Sequence, residues 1–121
     1  MDITEMFKRI EVYHKKLGYD YSNATPAEKI RYIRENTLAL FQEVAELTNS
    51  LPWKPWRSVE DQLYDIQNAT KEMIDCFFFL GAICEIIGIT SEMIHHEFEI
   101  VMTNNYARIE KGYNNDPKER G

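Results

Sequence analysis

The chain has 121 residues, 44% hydrophobic and 28% charged, with a formal charge of -6. That length allows one domain, or one protomer of a small oligomer, with a single core. The apolar and aromatic content excludes a disordered polar chain, and five Gly and four Pro exclude collagen and loop-dominated architectures.

Ile3, Met6, Phe7, Ile10, Tyr13, His14 and Leu17 recur at three- and four-residue spacing and predict a first helix over 2–17. Gly18 opens a polar break. Thr25-Pro26-Ala27-Glu28 then reads as a helix start, with Thr25 as cap, Pro26 at the first helical position and Glu28 closing a capping box. This second helix is predicted to run to about Thr48. Pro52 and Pro55 exclude regular helix across 50–57. Ser58 with Asp61 reads as the next cap, predicting a third helix from there to Ile87, kinked near Asn68 and ended by Gly88. Thr90 or Ser91 caps a fourth helix to Lys111, and Gly112 stops it. A polar tail over 114–121 is expected to fray, leaving one domain over 1–113. There is no internal repeat and no period-two strand pattern. The expected fold class is all-α, a four-to-five-helix antiparallel bundle.

Partners and compartment follow from the same features. Twenty acidic against 14 basic residues disfavour a nucleic-acid polymer. The apolar run over 73–90 is interrupted by Asp75 and Glu85, too short and too charged for a membrane span, so no membrane is expected. The N-terminus lacks the pattern of a signal peptide. Cys76 and Cys84 lie eight residues apart, about 12 Å along one helix and too far to bridge. They read as core thiols of a cytoplasmic protein, or of a host cytoplasm for a phage-encoded one.

The third predicted helix is apolar on nearly every side, with Ile74, Phe77, Phe78, Phe79, Leu80, Ile83, Ile86 and Ile87, and is expected to be buried all round. Asp75 lies inside that stretch and Glu72 one turn before it. A buried carboxylate needs a cation, either a Lys or Arg from another helix or a metal. The second helix supplies Glu43 and Glu46, which share a face and otherwise read as a solvated pair. Antiparallel helices joined through the 50–57 region can bring Glu43, Glu46, Glu72 and Asp75 together. Four carboxylates at one point require divalent cations, and all-oxygen ligands favour Mg²⁺, with Mn²⁺ able to substitute. Mg²⁺ held this way keeps positions for water and substrate phosphates, which points to phosphate chemistry.

Asn105 interrupts the apolar face of the fourth helix, with Arg108 at its edge and Gly112-Tyr113 following. Amide, guanidinium and phenol together suit anionic oxygens. Trp53, Lys54, Trp56 and Arg57 put two indoles and two cations on a proline-stiffened loop, suited to stacking a base and holding phosphate.

Glu43-Val44-Ala45-Glu46, then about 25 residues, then Glu72-Met73-Ile74-Asp75 resembles the E-x-x-E and E-x-x-D pattern of the all-α nucleoside triphosphate pyrophosphatases. That superfamily comprises dimeric dUTPases, phage dCTPase-dUTPases and MazG-like enzymes. Ala45 to Asn49 followed by Trp53-Lys54-Pro55-Trp56 is more similar to the dimeric dUTPase version. Asn105-Tyr106-Ala107-Arg108 with Gly112-Tyr113 resembles that family's tail. The resemblance implies Mg²⁺-dependent cleavage of a (deoxy)nucleoside triphosphate between the α and β phosphates, giving monophosphate and pyrophosphate. It implies Glu43, Glu46, Glu72 and Asp75 as metal ligands, with Glu43 or Glu46 as general base. It also implies substrate contacts from His14, Trp53, Lys54, Trp56, Arg57, Asn105, Arg108, Lys111 and Tyr113. His14 stands where this family carries a uracil-reading Gln, so the nucleotide stays open between dUTP or dCTP, another deoxynucleotide and a purine nucleotide of MazG-like type; Val101 stands where it carries a Lys, so triphosphate contacts are expected to be lost or moved to Arg108, Lys111 or Lys54.

A rival of another class is a four-helix di-metal carboxylate protein using Glu11-His14 and Glu92-His95, both E-x-x-H. A helical adaptor without catalysis is a third reading, and it leaves Asp75 and Asn105 unexplained. The greasy third helix predicts a homodimer or homotetramer.

Overall fold

The computed structural model describes residues 1–112. It contains four α-helices, α1 (Ile3–Lys16), α2 (Pro26–Asn49), α3 (Ile66–Ile87) and α4 (Ser91–Glu110), and two single 3-10 turns at Tyr21–Asn23 and Val59–Asp61. No strand occurs among the described residues. The expected tail over 114–121 lies outside them. Contacts group the chain into two compact units, Met1–Gly88 and Ile89–Gly121.

Helix ends obey local chemistry. The Asp2 side chain accepts from the Glu5 amide and starts α1. The predicted capping box of Thr25 and Glu28 forms at both bonds, 3.0 and 3.2 Å. Gly88 ends α3 at φ 84°, a left-handed position that costs glycine nothing. One boundary differs from expectation: α3 starts at Ile66, not near Ser58. Ser58 Oγ donates to Asp61 Oδ2 over 2.8 Å, and Gln62 is spent on the loop, accepting from the Lys54 amide and donating to the Arg57 carbonyl. Asp65 is the true cap, its Oδ1 accepting from the Gln67 amide. The expected kink near Asn68 is simply the first turn of this helix.

In the first unit α3 packs most extensively along α2 and next against α1. Tyr32 and Ile33 of α2 meet Ala82 and Ile86 of α3, while Glu43 meets Glu72, so the two helices run antiparallel. Phe7 meets Phe77 and His14 meets Glu85, so α1 runs parallel to α3. Ile10, Tyr21, Cys76, Ala82 and Ile86 form the small buried core. Helix α3 is not buried all round within the chain: Met73, Ile74, Leu80 and Ile87 are exposed, as are Leu38 and Phe41 on α2. Cys76 and Cys84 are both free thiols on α3. No single helix among the described residues is long and apolar enough to cross a membrane.

The α1–α3 crossing is set by Gly81. A Cβ there would stand 3.0 Å from Ile10 Cγ2, and Ile10 is buried with little room to yield. Gly81→Ala regains about 1 kcal/mol of helix propensity but overpacks the crossing at about 1–3 kcal/mol. The expected net loss is about 1 kcal/mol, measured by urea unfolding as a lower midpoint with unchanged slope.

Candidate active site

Helical periodicity puts Glu43 and Glu46 on one face of α2, and Glu72 on the face of α3 that packs against it. One carboxylate oxygen from each lies within 4.8 Å of the others. Glu43 Oε2 and Glu72 Oε2 are buried from solvent and have no hydrogen-bond partner, while Glu46 is exposed. Burial pushes the Glu43 carboxyl above the usual carboxylate range, and Glu46, Asp75 and Glu72 push it the same way. Asp75 stands outside the three-oxygen cluster. Its Oδ2 is 3.2 Å from Lys71 Nζ, one turn earlier on the same helix, and its side chain is 35% exposed. The cation it meets comes from its own helix, not another, and the carboxylate in turn raises the Lys71 ammonium.

Beside the cluster lies a cleft of ≈ 790 Å³. Glu43 and Asp75 line its acidic end. Asn36, Phe78 and Phe79 follow along the helices, and Tyr13, His14, Tyr19 and Tyr21 line the other end. Asn36 is two turns before Glu43, about 10 Å along α2. It is buried, and its Nδ2 donates to the Tyr32 carbonyl over 2.8 Å. Tyr19 and Tyr21 stack at 5.3 Å, and Tyr32 meets Tyr21 edge-on at 5.0 Å. Burial raises the Tyr21 phenol, and the Asn36 side chain pulls it back.

His14, expected at the substrate, lines this cleft. Its Nδ1 is bonded to Glu85 Oε2 at 2.7 Å, and Tyr21 and Phe78 stand edge-on to its ring. Glu11 is turned away and pairs with Lys15 at 3.2 Å. Glu11 and His14 are thus each paired with another residue, and Glu92 and His95 are exposed on α4. The only cluster of metal-holding geometry among the described residues is Glu43, Glu46 and Glu72.

The 51–65 loop leaves the end of α2. Trp53 Nε1 donates to Asn49 Oδ1, Trp56 meets Trp53 edge-on at 5.5 Å, and Lys54 Nζ lies 5.9 Å from the Trp53 ring centre. Trp56 and Arg57 are exposed. Asn105, Arg108 and Lys111 are exposed at the C-terminal part of the second unit, and Tyr113 lies outside the described residues.

A family model described as dUTPase matches residues 2–84, more than half of the chain. The chain belongs to this dUTPase family. The match covers α1, α2, the Trp loop and most of α3, and so all four carboxylates and the cleft; it stops one residue before Glu85. No curated protein and no solved structure matches the chain. The all-helical architecture agrees with the dUTPase assignment. Sequence reasoning gave no place to Glu85, Tyr21 or Gln62, which the structure sets against His14, in the cleft and across the loop. Glu85 carried a usable signal, since it interrupts the same apolar stretch as Asp75.

A carboxyl whose folded-state value is raised favours its neutral form in the folded protein. That contribution is complete below the unfolded value near 4.5 and is lost as pH rises through the folded value. The metal-free protein is therefore destabilised by Glu43 at neutral pH. Glu43→Gln is expected to raise its melting temperature at pH 7, with the difference vanishing below about pH 4. The same variant should lose most of the thermal shift that Mg²⁺ or Mn²⁺ gives the unsubstituted protein. Differential scanning calorimetry with and without chelator reads both effects.

Proposed function

We propose that the protein is a nucleoside triphosphate pyrophosphohydrolase acting on a dUTP- or dCTP-type nucleotide and releasing the monophosphate and pyrophosphate. The observation that carries this reading is the pair of buried, unpartnered oxygens on Glu43 and Glu72, gathered with Glu46 in a member of the dUTPase family. Unpartnered buried carboxylate oxygens are expensive unless a cation meets them. The donor set is entirely oxygen, which fits Mg²⁺ or Mn²⁺ and not a soft metal.

Glu43, Glu46 and Glu72 would hold the metal, with Asp75 at its edge. Bound there, it supplies charge neutralisation for the triphosphate and lowers the proton affinity of a bound water. The chain's own residues do the rest. Glu43 or Glu46, through the carboxylate oxygen not used as a ligand, takes the proton from the attacking water. The adjoining aromatic cleft takes the base, because stacking against Phe78, Phe79 and Tyr13 suits a planar ring. Trp53, Trp56, Lys54 and Arg57 form an exposed stacking and cationic surface for the nucleotide. Asn105, Arg108, Lys111 and Tyr113 are proposed as further anion contacts on the strength of the family-like tail. The free cysteines support a cytoplasmic setting.

The reading includes a homo-oligomer, a dimer or a tetramer. Phe41 is 80% and Leu38 is 71% exposed on one helix, and Met73, Ile74, Leu80 and Ile87 of α3 are exposed as well. Such exposure marks an interaction surface.

Two measurements test the proposal. Incubation with a panel of ribo- and deoxynucleoside triphosphates plus Mg²⁺ should release pyrophosphate and monophosphate from a pyrimidine deoxynucleotide. Glu43→Gln or Glu46→Gln should lower kcat by about 100-fold or more. Release of inorganic phosphate alone, or activity indifferent to chelator and to both substitutions, overturns it. Light scattering at micromolar concentration should give twice or four times the chain mass.

A further inference from the structure

The hydrolysis leaves one buried polar pair unused. His14 and Glu85 join α1 to α3 by a 2.7 Å contact, with side chains only 9% and 12% exposed. A carboxylate accepts hydrogen bonds and does not donate, so the proton lies on Nδ1. Nε2 is the ring nitrogen left for the cleft that His14 lines. With the proton held on Nδ1, Nε2 of the neutral ring is an acceptor and nothing else, and only protonation of the ring makes it a donor. Rings edge-on at 5.6 and 6.4 Å, from Tyr21 and Phe78, hinder any reversal of the imidazole. Asn36 is fixed in the same way, because its Nδ2 is committed to the Tyr32 carbonyl. Both His14 and Asn36 are 7% exposed. The aromatic end of the cleft thus displays polar groups whose orientation the protein has already chosen.

That choice has a chemical consequence, resting on the proposal that the cleft takes a pyrimidine nucleotide. Uracil offers an N–H donor at position 3 and an acceptor at position 4. Cytosine offers an acceptor at position 3 and an amino donor at position 4. The two bases are opposite at both positions, so a neutral imidazole held in one tautomer and facing either position pairs with one base and opposes the other. We infer that Glu85 is a specificity-determining positioning residue: by holding Nδ1 of His14 it fixes how the His14–Asn36 end of the cleft reads a pyrimidine edge, and so makes the cleft distinguish uracil from cytosine.

Glu85→Gln tests this with little change of shape. The Gln amide can accept from Nδ1 or donate to it, which frees His14 to adopt either tautomer. The unsubstituted protein should show a kcat/KM ratio for dUTP against dCTP at least about tenfold from unity. In Glu85→Gln that ratio should move about tenfold toward unity, and the loss for the preferred nucleotide should fall on KM more than on kcat. Nitrogen-15 NMR of the unsubstituted protein gives a second reading that needs no variant to fold. It should show the proton on Nδ1 of His14, and dUMP and dCMP with Mg²⁺ should shift Nε2 unequally. A ratio near unity, a Glu85→Gln ratio equal to the unsubstituted one, or an Nδ1 without its proton overturns the inference. Hydrolysis of both nucleotides with an unaffected ratio sinks this inference alone; hydrolysis of neither sinks the nucleotide reading along with it.

Discussion

Mutual repulsion among Glu43, Glu46 and Glu72 is the interaction that organises the site. Three carboxylates do not gather within 4.8 Å of one another by their own preference. The packing of α2 along α3 holds them there, and the antiparallel register is set farther along the pair, where Tyr32 and Ile33 meet Ala82 and Ile86. Hydrophobic contact at one end of the helix pair therefore maintains an electrostatic conflict at the other. A conflict of that kind favours whatever neutralises it. In the absence of a cation the folded protein responds by raising the Glu43 carboxyl.

Much of this was legible from residue spacing. The cap chemistry of Thr25, Pro26 and Glu28 located the start of α2, and the E-x-x-E spacing put Glu43 and Glu46 on one face. The gathering of Glu72 with them followed once two antiparallel helices were assumed. Asp75 was harder to read. It shares the acidic motif, but Lys71 one turn away already answers its charge. A local i,i+4 pair competes with a tertiary role, and sequence spacing does not show which one wins. The start of α3 was misplaced for a related reason. Ser58 and Asp61 do bond to each other, but as a loop device, and only the geometry of Gln62 shows that the chain there is tied back across the loop. Glu85 was visible as a charge in an apolar run; its partner His14 is 71 residues away, beyond the reach of any local rule.

The chain's own core is small for its apolar content. Among the described residues five hydrophobic side chains are buried, whereas Phe41, Leu38, Leu80 and Ile87 remain exposed. Phe41 and Val44 flank Glu43 in sequence, so a second copy laid on that part of α2 would cover surface next to the acidic cluster. Covering it would lower the local dielectric and sharpen both the repulsion and the affinity for a cation. Assembly and metal binding would then be coupled through one helix.

The proposed function divides two tasks between the ends of the cleft. On that reading a cation held at its acidic end would neutralise and position phosphate but could not tell one base from another, because every nucleoside triphosphate carries the same phosphates. Its aromatic end has rings that stack any base, and stacking too is indifferent to the hydrogen-bonding edge. On that reading discrimination falls to the polar atoms among those rings: the tyrosine hydroxyls, which rotate, and the buried His14 and Asn36. Both are tied back into the protein by bonds that fix their orientation. A free imidazole or amide could adapt to either pyrimidine and would pay little to do so. Tied ones adapt less, so the wrong base would leave a buried polar atom unpaired, which is the costly outcome.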